Sequence, residues 1–162
     1  MNSKKKKIIL YIISIAIILT VIAIDLISKH FTTDYSETKN IIPYIINFKS
    51  SQNTGAAWSI FSGSVIALSI VTFLAIALII VYAIFSKSNS ALFFISLSLI
   101  LGGAIGNLID RLVFGYVRDF IQFDFWQTFP IFNLADTFLT IGIFCLILYH
   151  LILLIKEKRK NK

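Results

Sequence analysis

The sequence predicts an all-α membrane protein: four transmembrane helices, with a small β-sheet on the outer face and a short interfacial helix or loop. Three observations carry this. Of 162 residues, 57% are hydrophobic and only 14% charged, whereas a soluble domain holds about 25% charged residues. Four apolar runs, at about residues 8–26, 65–85, 91–109 and 131–155, each reach the roughly 18 residues needed to cross a hydrocarbon core. The formal charge is +7, but its basic residues sit at membrane flanks, so it describes topology and indicates no nucleic-acid partner. The length accommodates a single domain over 1–162 and no separate soluble module.

The first run follows Lys4–Lys7 and is broken only by Ser14, Thr20 and Asp25. A basic cluster before an apolar stretch also describes a secretory signal peptide. Here no small-x-small cleavage site follows and three further spans do, so a retained helix is expected. Between the first two spans, Ile41–Lys49 and Thr54–Phe61 are β-prone, with the turn formers Ser50, Ser51, Gln52 and Asn53 between them. They predict a small antiparallel sheet with Trp58 and Phe61 as interfacial aromatics. The short Ser86–Ser90 connection makes the second and third helices an antiparallel pair. The segment 112–129 is bounded by Gly115 and Pro130 and carries Phe123, Phe125 and Trp126, which predicts an amphipathic element lying in the interface.

Orientation follows from the basic residues. The N-terminus, the Ser86–Ser90 loop and the C-terminal tail hold ten of fifteen Lys/Arg and one of eight acids. The other side, residues 25–64 and 110–130 with Asp136, holds five basic residues and seven acids. The positive-inside rule places both termini in the cytoplasm and Asp119 and Asp136 at the outer edge.

An ionisable group at membrane depth is a functional-site hypothesis by default, and several polar groups recur here at helical spacing. Asp25 and Lys29 lie four apart and can pair, read as a structural ion pair at the end of the first helix. Gly102, Gly103, Ala104 and Gly106 allow a close helix approach. They precede Asn107, Asp110 and Arg111, which share one face. Asp110 is open between a structural and a substrate-facing role. Asn107 and Arg111 point toward function, because a guanidinium fork holds a carboxylate or a peptide carbonyl. Asn133, Asp136 and Thr140 form a polar stripe on the fourth helix that must face the bundle.

Little other chemistry is available. Gly-x-Ser-x-Gly, a P-loop and a cysteine–histidine pair are all missing from the sequence, as are zinc-binding spacings. Cys145 has no second cysteine to pair with. Two carboxyls sharing a proton remain: the ionised one deprotonates water while the protonated one donates to the scissile carbonyl. No metal or cofactor is expected.

At this point a family resemblance is visible. Asp25-Leu26-Ile27-Ser28-Lys29, Asn53-Thr54-Gly55-Ala56-Ala57-Trp58, Gly106-Asn107-Leu108-Ile109-Asp110-Arg111, Val117-Arg118-Asp119-Phe120 and Phe132-Asn133-Leu134-Ala135-Asp136 resemble, in order, the motifs of the lipoprotein signal peptidases, the type II signal peptidases of bacteria. The resemblance implies an aspartyl endopeptidase with Asp119 and Asp136 as the dyad. Asn53, Gly55, Asn107, Arg111 and Asn133 would hold substrate or order the site, with Asp25, Lys29 and Asp110 as structural polar groups. It implies a diacylglyceryl-modified prolipoprotein substrate, cut before the lipidated cysteine, and inhibition by peptide antibiotics of the globomycin type. The setting would be the bacterial cytoplasmic membrane, with lipid as neighbour and the chain a monomer. The sequence departs from the pattern at Arg118, where a small or β-branched apolar residue is commoner, and at Trp58, where Phe is frequent. Arg118 would lower the Asp119 pKa if the two side chains met.

Two competing readings are a small four-helix transporter using Asp25 or Asp136 as a coupling carboxylate, and a scaffold or assembly factor. The polar residues cluster toward one face without a continuous polar path, which disfavours the first. The second leaves Asn133 beside Asp136 without explanation.

Overall fold

The computed structural model describes residues 3–32, 37–55 and 63–161. Its elements run α1 (Ser3–Thr32), β1 (Lys39–Ile42), β2 (Ile46–Asn53), α2 (Val65–Phe85), α3 (Ala91–Phe114), β3 (Val117–Phe123) and α4 (Leu134–Lys160). All four helices are long and apolar enough to cross a membrane.

The helix α3 is the packed centre. Phe93, Phe94, Leu97, Leu101, Ala104 and Leu108 are buried along it, while α1, α2 and α4 expose residues such as Ile12, Leu19, Phe73, Leu78, Phe144 and Leu154. In a bilayer those exposed faces meet acyl chains, so the apolar exterior costs nothing. Small residues let the helices close. A Cβ on Gly103 would collide with the Ala135 carbonyl of α4, and one on Gly106 would meet the Asp25 carboxylate of α1. The glycines therefore bring α1 and α4 against α3 at the level of the polar residues.

The sheet is three-stranded and antiparallel, in order β1-β2-β3. Its turn differs from the sequence expectation. Ser50–Asn53 is not a connection; it belongs to β2, where Ser51 faces Asp119 and Asn53 faces Val117 across a bulge. The chain reverses earlier, at Pro43 and Tyr44, with Ile45 N–H donating to the Ile42 carbonyl at 3.0 Å and Tyr44 at φ 64. Proline presets the first corner of such a turn and is disfavoured inside a paired strand. Most of the second expected strand, with Trp58 and Phe61, lies outside the described residues.

A second difference concerns 112–129. Helix α3 continues to Phe114 and stops at Gly115, whose φ of 77 suits the left-handed cap. The chain then enters β3 where an interfacial helix or loop was expected, and only the stretch after Phe123 is a loop. β3 pairs with β2 along one edge. Along the other, Phe120 and Ile121 donate to the Phe132 carbonyl and Phe132 donates back to Ile121. That last pairing delivers the chain to Asn133 and starts α4 three residues later than the apolar run suggests.

Candidate active site

Strand alternation decides which way the β3 side chains point. Val117 and Asp119 share a face, and the register puts Asn53 opposite Val117, diagonal to Asp119. Asn53 accordingly donates from Nδ2 to Asp119 Oδ2 at 2.9 Å. Arg118 takes the opposite face. Its backbone N–H, Nε and Nη2 all donate to Asp110, at 2.9, 3.3 and 2.8 Å, and its guanidinium lies 4.4 Å from the Phe114 ring centre. Adjacency in sequence therefore does not depress the Asp119 pKa through Arg118.

Asp136 is the third residue of α4, and Asn133 is its N-cap. The Asn133 side-chain oxygen accepts from Asp136 N–H at 2.9 Å, and Asp136 Oδ2 accepts from Asn133 N–H at 3.2 Å. This reciprocal capping box satisfies two N–H groups that the first turn would otherwise leave open. The Asn133 Nδ2 is left to donate to Asp119 Oδ1 at 2.7 Å and Asn107 Oδ1 at 3.0 Å. Asn107 in turn donates from Nδ2 to Asp136 Oδ1 at 2.7 Å. Each of the four carboxyl oxygens of Asp119 and Asp136 thus accepts an amide N–H, supplied by Asn53, Asn107 and Asn133.

Burial pushes the Asp119 carboxyl up to about 7, and the neighbouring Asp136 charge adds to the rise; the amides of Asn53 and Asn133 oppose it. Such a group holds a proton near neutrality and can give it away.

Both carboxyls line a cavity of about 460 Å³ with Asn53, Asn107, Arg111 and Thr140. Phe123, Phe129, Pro130, Ile131 and Phe132 form its apolar wall. Arg111 reaches Gly55 from Nη2 to the carbonyl oxygen at 3.3 Å, and Gly55 N–H donates to Asn53 Oδ1 at 2.9 Å. Asn53, Gly55 and Arg111 are therefore one connected edge of the site. Asp25, Lys29 and Asp110 lie behind it, fully buried. Lys29 Nζ stands 2.7 Å from Asp25 and 3.3 Å from Asp110.

Sequence reasoning missed three connections. Asn133 and Asp136 read as a polar stripe, although Asn-x-x-Asp at a helix start signals the capping box. Asp25 Oδ1 caps α4 from another helix, accepting Ala135 N–H at 2.9 Å. Lys29 also donates to Asn107 Oδ1 at 3.0 Å. Nothing in an Asp-x-x-x-Lys spacing announces either of the last two. Among the described residues, no group of three or more His, Cys, Asp or Glu side chains is placed to hold a metal ion.

Residues 17–152 match the sequence profile of the family described as signal peptidase (SPase) II. The chain belongs to the signal peptidase II family. It is 42% identical over 158 residues to the lipoprotein signal peptidase of Lactobacillus johnsonii, covering 96% of this chain and 99% of that one. It is 39% identical over 140 residues to the lipoprotein signal peptidase of Enterococcus faecalis, with 85% and 84% coverage. A bacterial membrane enzyme solved by the in meso method at 2.3 Å resolution superposes with a TM-score of 0.81 at 33% identity, over 92% of this chain and 91% of that one. The family is one of multi-pass membrane proteases, so the transporter and scaffold readings are set aside.

Proposed function

We propose that this chain is a membrane aspartyl endopeptidase that removes signal peptides from diacylglyceryl-modified prolipoproteins, cutting before the lipidated cysteine. The observation that carries this reading is the provision of amide donors to all four oxygens of Asp119 and Asp136 within one cavity. The dyad shares a proton, because two neighbouring carboxylates, Asp119 buried and Asp136 partly buried, resist double ionisation. The ionised partner takes a proton from water as the hydroxyl attacks the scissile carbonyl carbon. The protonated partner gives its proton to the carbonyl oxygen, forming a tetrahedral diol. A proton passed to the peptide nitrogen then lets the C–N bond break.

Three features support the substrate class. The cavity lies at one end of an apolar bundle, lined by the last turns of α3 and the first turns of α4, so acyl chains can stay in lipid while the peptide reaches the dyad. The Phe123–Phe132 wall offers that peptide an apolar side, and Arg111 offers donors to its carbonyls. A globomycin-type peptide would compete for the same cavity. The chain acts as a monomer in the bacterial cytoplasmic membrane. Lys4–Lys7, Lys87 and the Lys156–Lys160 tail lie on the cytoplasmic side, with the site at the outer face, as the basic-residue distribution indicates.

The deciding experiment incubates purified protein with a diacylated prolipoprotein, with and without a chelator. Cleavage is expected in both, and Asp119→Asn and Asp136→Asn should each abolish it. Chelator-sensitive cleavage, or near wild-type turnover by Asp136→Asn, would overturn the assignment.

A further inference from the structure

Lys29 belongs to α1, which contributes no residue to the cavity wall, yet it reaches the dyad through one intermediate. Its Nζ is fully buried and donates to Asn107 Oδ1 at 3.0 Å, and Asn107 Nδ2 donates to Asp136 Oδ1 at 2.7 Å. A side-chain amide has two unlike ends, and its network decides which end faces which neighbour. An ammonium donates only, so the end of Asn107 that faces it must be the oxygen. The NH2 end is then aimed at Asp136. Asn133 Nδ2 donates to the same Asn107 oxygen and to Asp119, so the donor direction set at Lys29 runs through both asparagines to both carboxyls.

The buried ions around Lys29 are balanced. Asp25 and Asp110 carry two negative charges, Lys29 and Arg118 two positive ones, and Asp110 keeps its Arg118 contacts independently of Lys29. An ion pair between Asp25 and Lys29 would alone explain a helix anchor. It does not explain why the ammonium also occupies the Asn107 oxygen.

We infer that Lys29 is a positioning residue for the proposed aspartyl reaction: as a buried donor-only cation it fixes the Asn107 amide so that its NH2 holds Asp136, and thereby orders the dyad from outside the cavity. The inference rests on the aspartyl endopeptidase reading.

The test uses the full chain, purified, with the diacylated prolipoprotein. The variant Asp25→Asn/Lys29→Met removes both charges of one pair, keeps an oxygen at position 25 for Ala135 N–H, and substitutes an unbranched chain for lysine. Replacing a buried pair by neutral groups of similar volume is commonly tolerated. Per folded molecule, kcat should fall roughly 10- to 100-fold with KM little changed, the cost of a misdirected group in a reacting site. The pH limb of activity belonging to Asp119 should also move upward. Asp119 faces Asp136 from α4, Lys29 from α1, Arg111 from α3 and the uncharged Asn53 from β2, and of the two charges the variant removes, those of Asp25 and Lys29, it is Lys29 that acts on Asp119.

Lys29→Arg, still donor-only, should keep kcat within several-fold of wild type and leave the limb in place. An anchoring role alone would lower the amount of folded protein without moving kcat or the limb, and that result overturns the inference. If the double variant does not accumulate, Asp25→Asn/Lys29→Gln decides, because a glutamine amide can turn either end toward Asn107: kcat per folded molecule that falls there but not in Lys29→Arg supports the inference, and unchanged kcat overturns it. Failure of the wild-type enzyme to cleave would instead sink the underlying reading.

Discussion

Asn133 donates from its side chain to Asp119 at 2.7 Å while its own oxygen accepts the Asp136 N–H at 2.9 Å. One residue therefore touches both carboxyl-bearing elements, β3 and α4. Asn133→Leu keeps the approximate volume and removes every side-chain bond. It should abolish most activity and destabilise the protein by about 1–2 kcal/mol, the usual cost of a lost N-cap. Turnover normalised to folded protein separates the two effects; full normalised activity would reduce Asn133 to a cap.

Arg111 holds the Gly55 carbonyl and lines the cavity. Lysine carries the same charge but cannot present a planar fork. Arg111→Lys should lose at least several-fold in kcat/KM at normal abundance in the membrane. Unchanged kinetics would show that the guanidinium contributes only packing.

The Asp119 carboxyl, ordinarily near 3.8, is pushed to about 7 in the folded protein. Below its unfolded pKa the group is protonated in both states, and its contribution to stability is fully present. As pH rises through 4 to 7, the unfolded chain sheds the proton first, so stability falls. The effect should amount to a few kcal/mol, since each tenfold difference in proton affinity is worth about 1.4 kcal/mol. Tm in detergent should decline across this window, and Asp119→Asn should flatten the slope. An equally steep decline in the variant would place the titration elsewhere.

Gly103 packs against the Ala135 carbonyl. Backbone cannot yield as a flexible side-chain tip does, so Gly103→Val must push α4 away from α3. A loss of about 1–3 kcal/mol is expected, with activity falling further because Asp136 moves with the first turn of α4. Tm and turnover measured together check this; an unaltered Tm would mean that the helices do not close there.

The helices were legible because long apolar runs have few other uses; that Asp119 and Asp136 line one cavity fits the expectation that charge at that depth is costly and turns inward. The third strand was not. Val117, Asp119, Phe120 and Ile121 are all buried, since β3 is flanked by β2 and by the Phe132 segment and covered by helices. No polar–apolar alternation survives to mark it. Pro43 was a readable turn signal, outweighed by the polar run Ser50–Asn53 that pairs inside β2. Arg118 shows the limit of adjacency: strand geometry sends it to Asp110, a residue eight positions away. Lys29 shows the limit of spacing, since its contact with Asn107 spans 78 residues.

The capping box at the start of α4 ties two events together. The bonds that close the first turn of this helix are also bonds that hold Asp136 beside Asn133. Fraying of that turn releases an asparagine amide from Asp119 and a backbone donor from Asp136 at once. Heat inactivation should therefore begin with exchange of the Asp136 amide hydrogen, well below the temperature at which the apolar bundle melts. On the proposed aspartyl reading, activity is then lost by local opening while the spans stay in the bilayer, and returns when one helical turn re-forms.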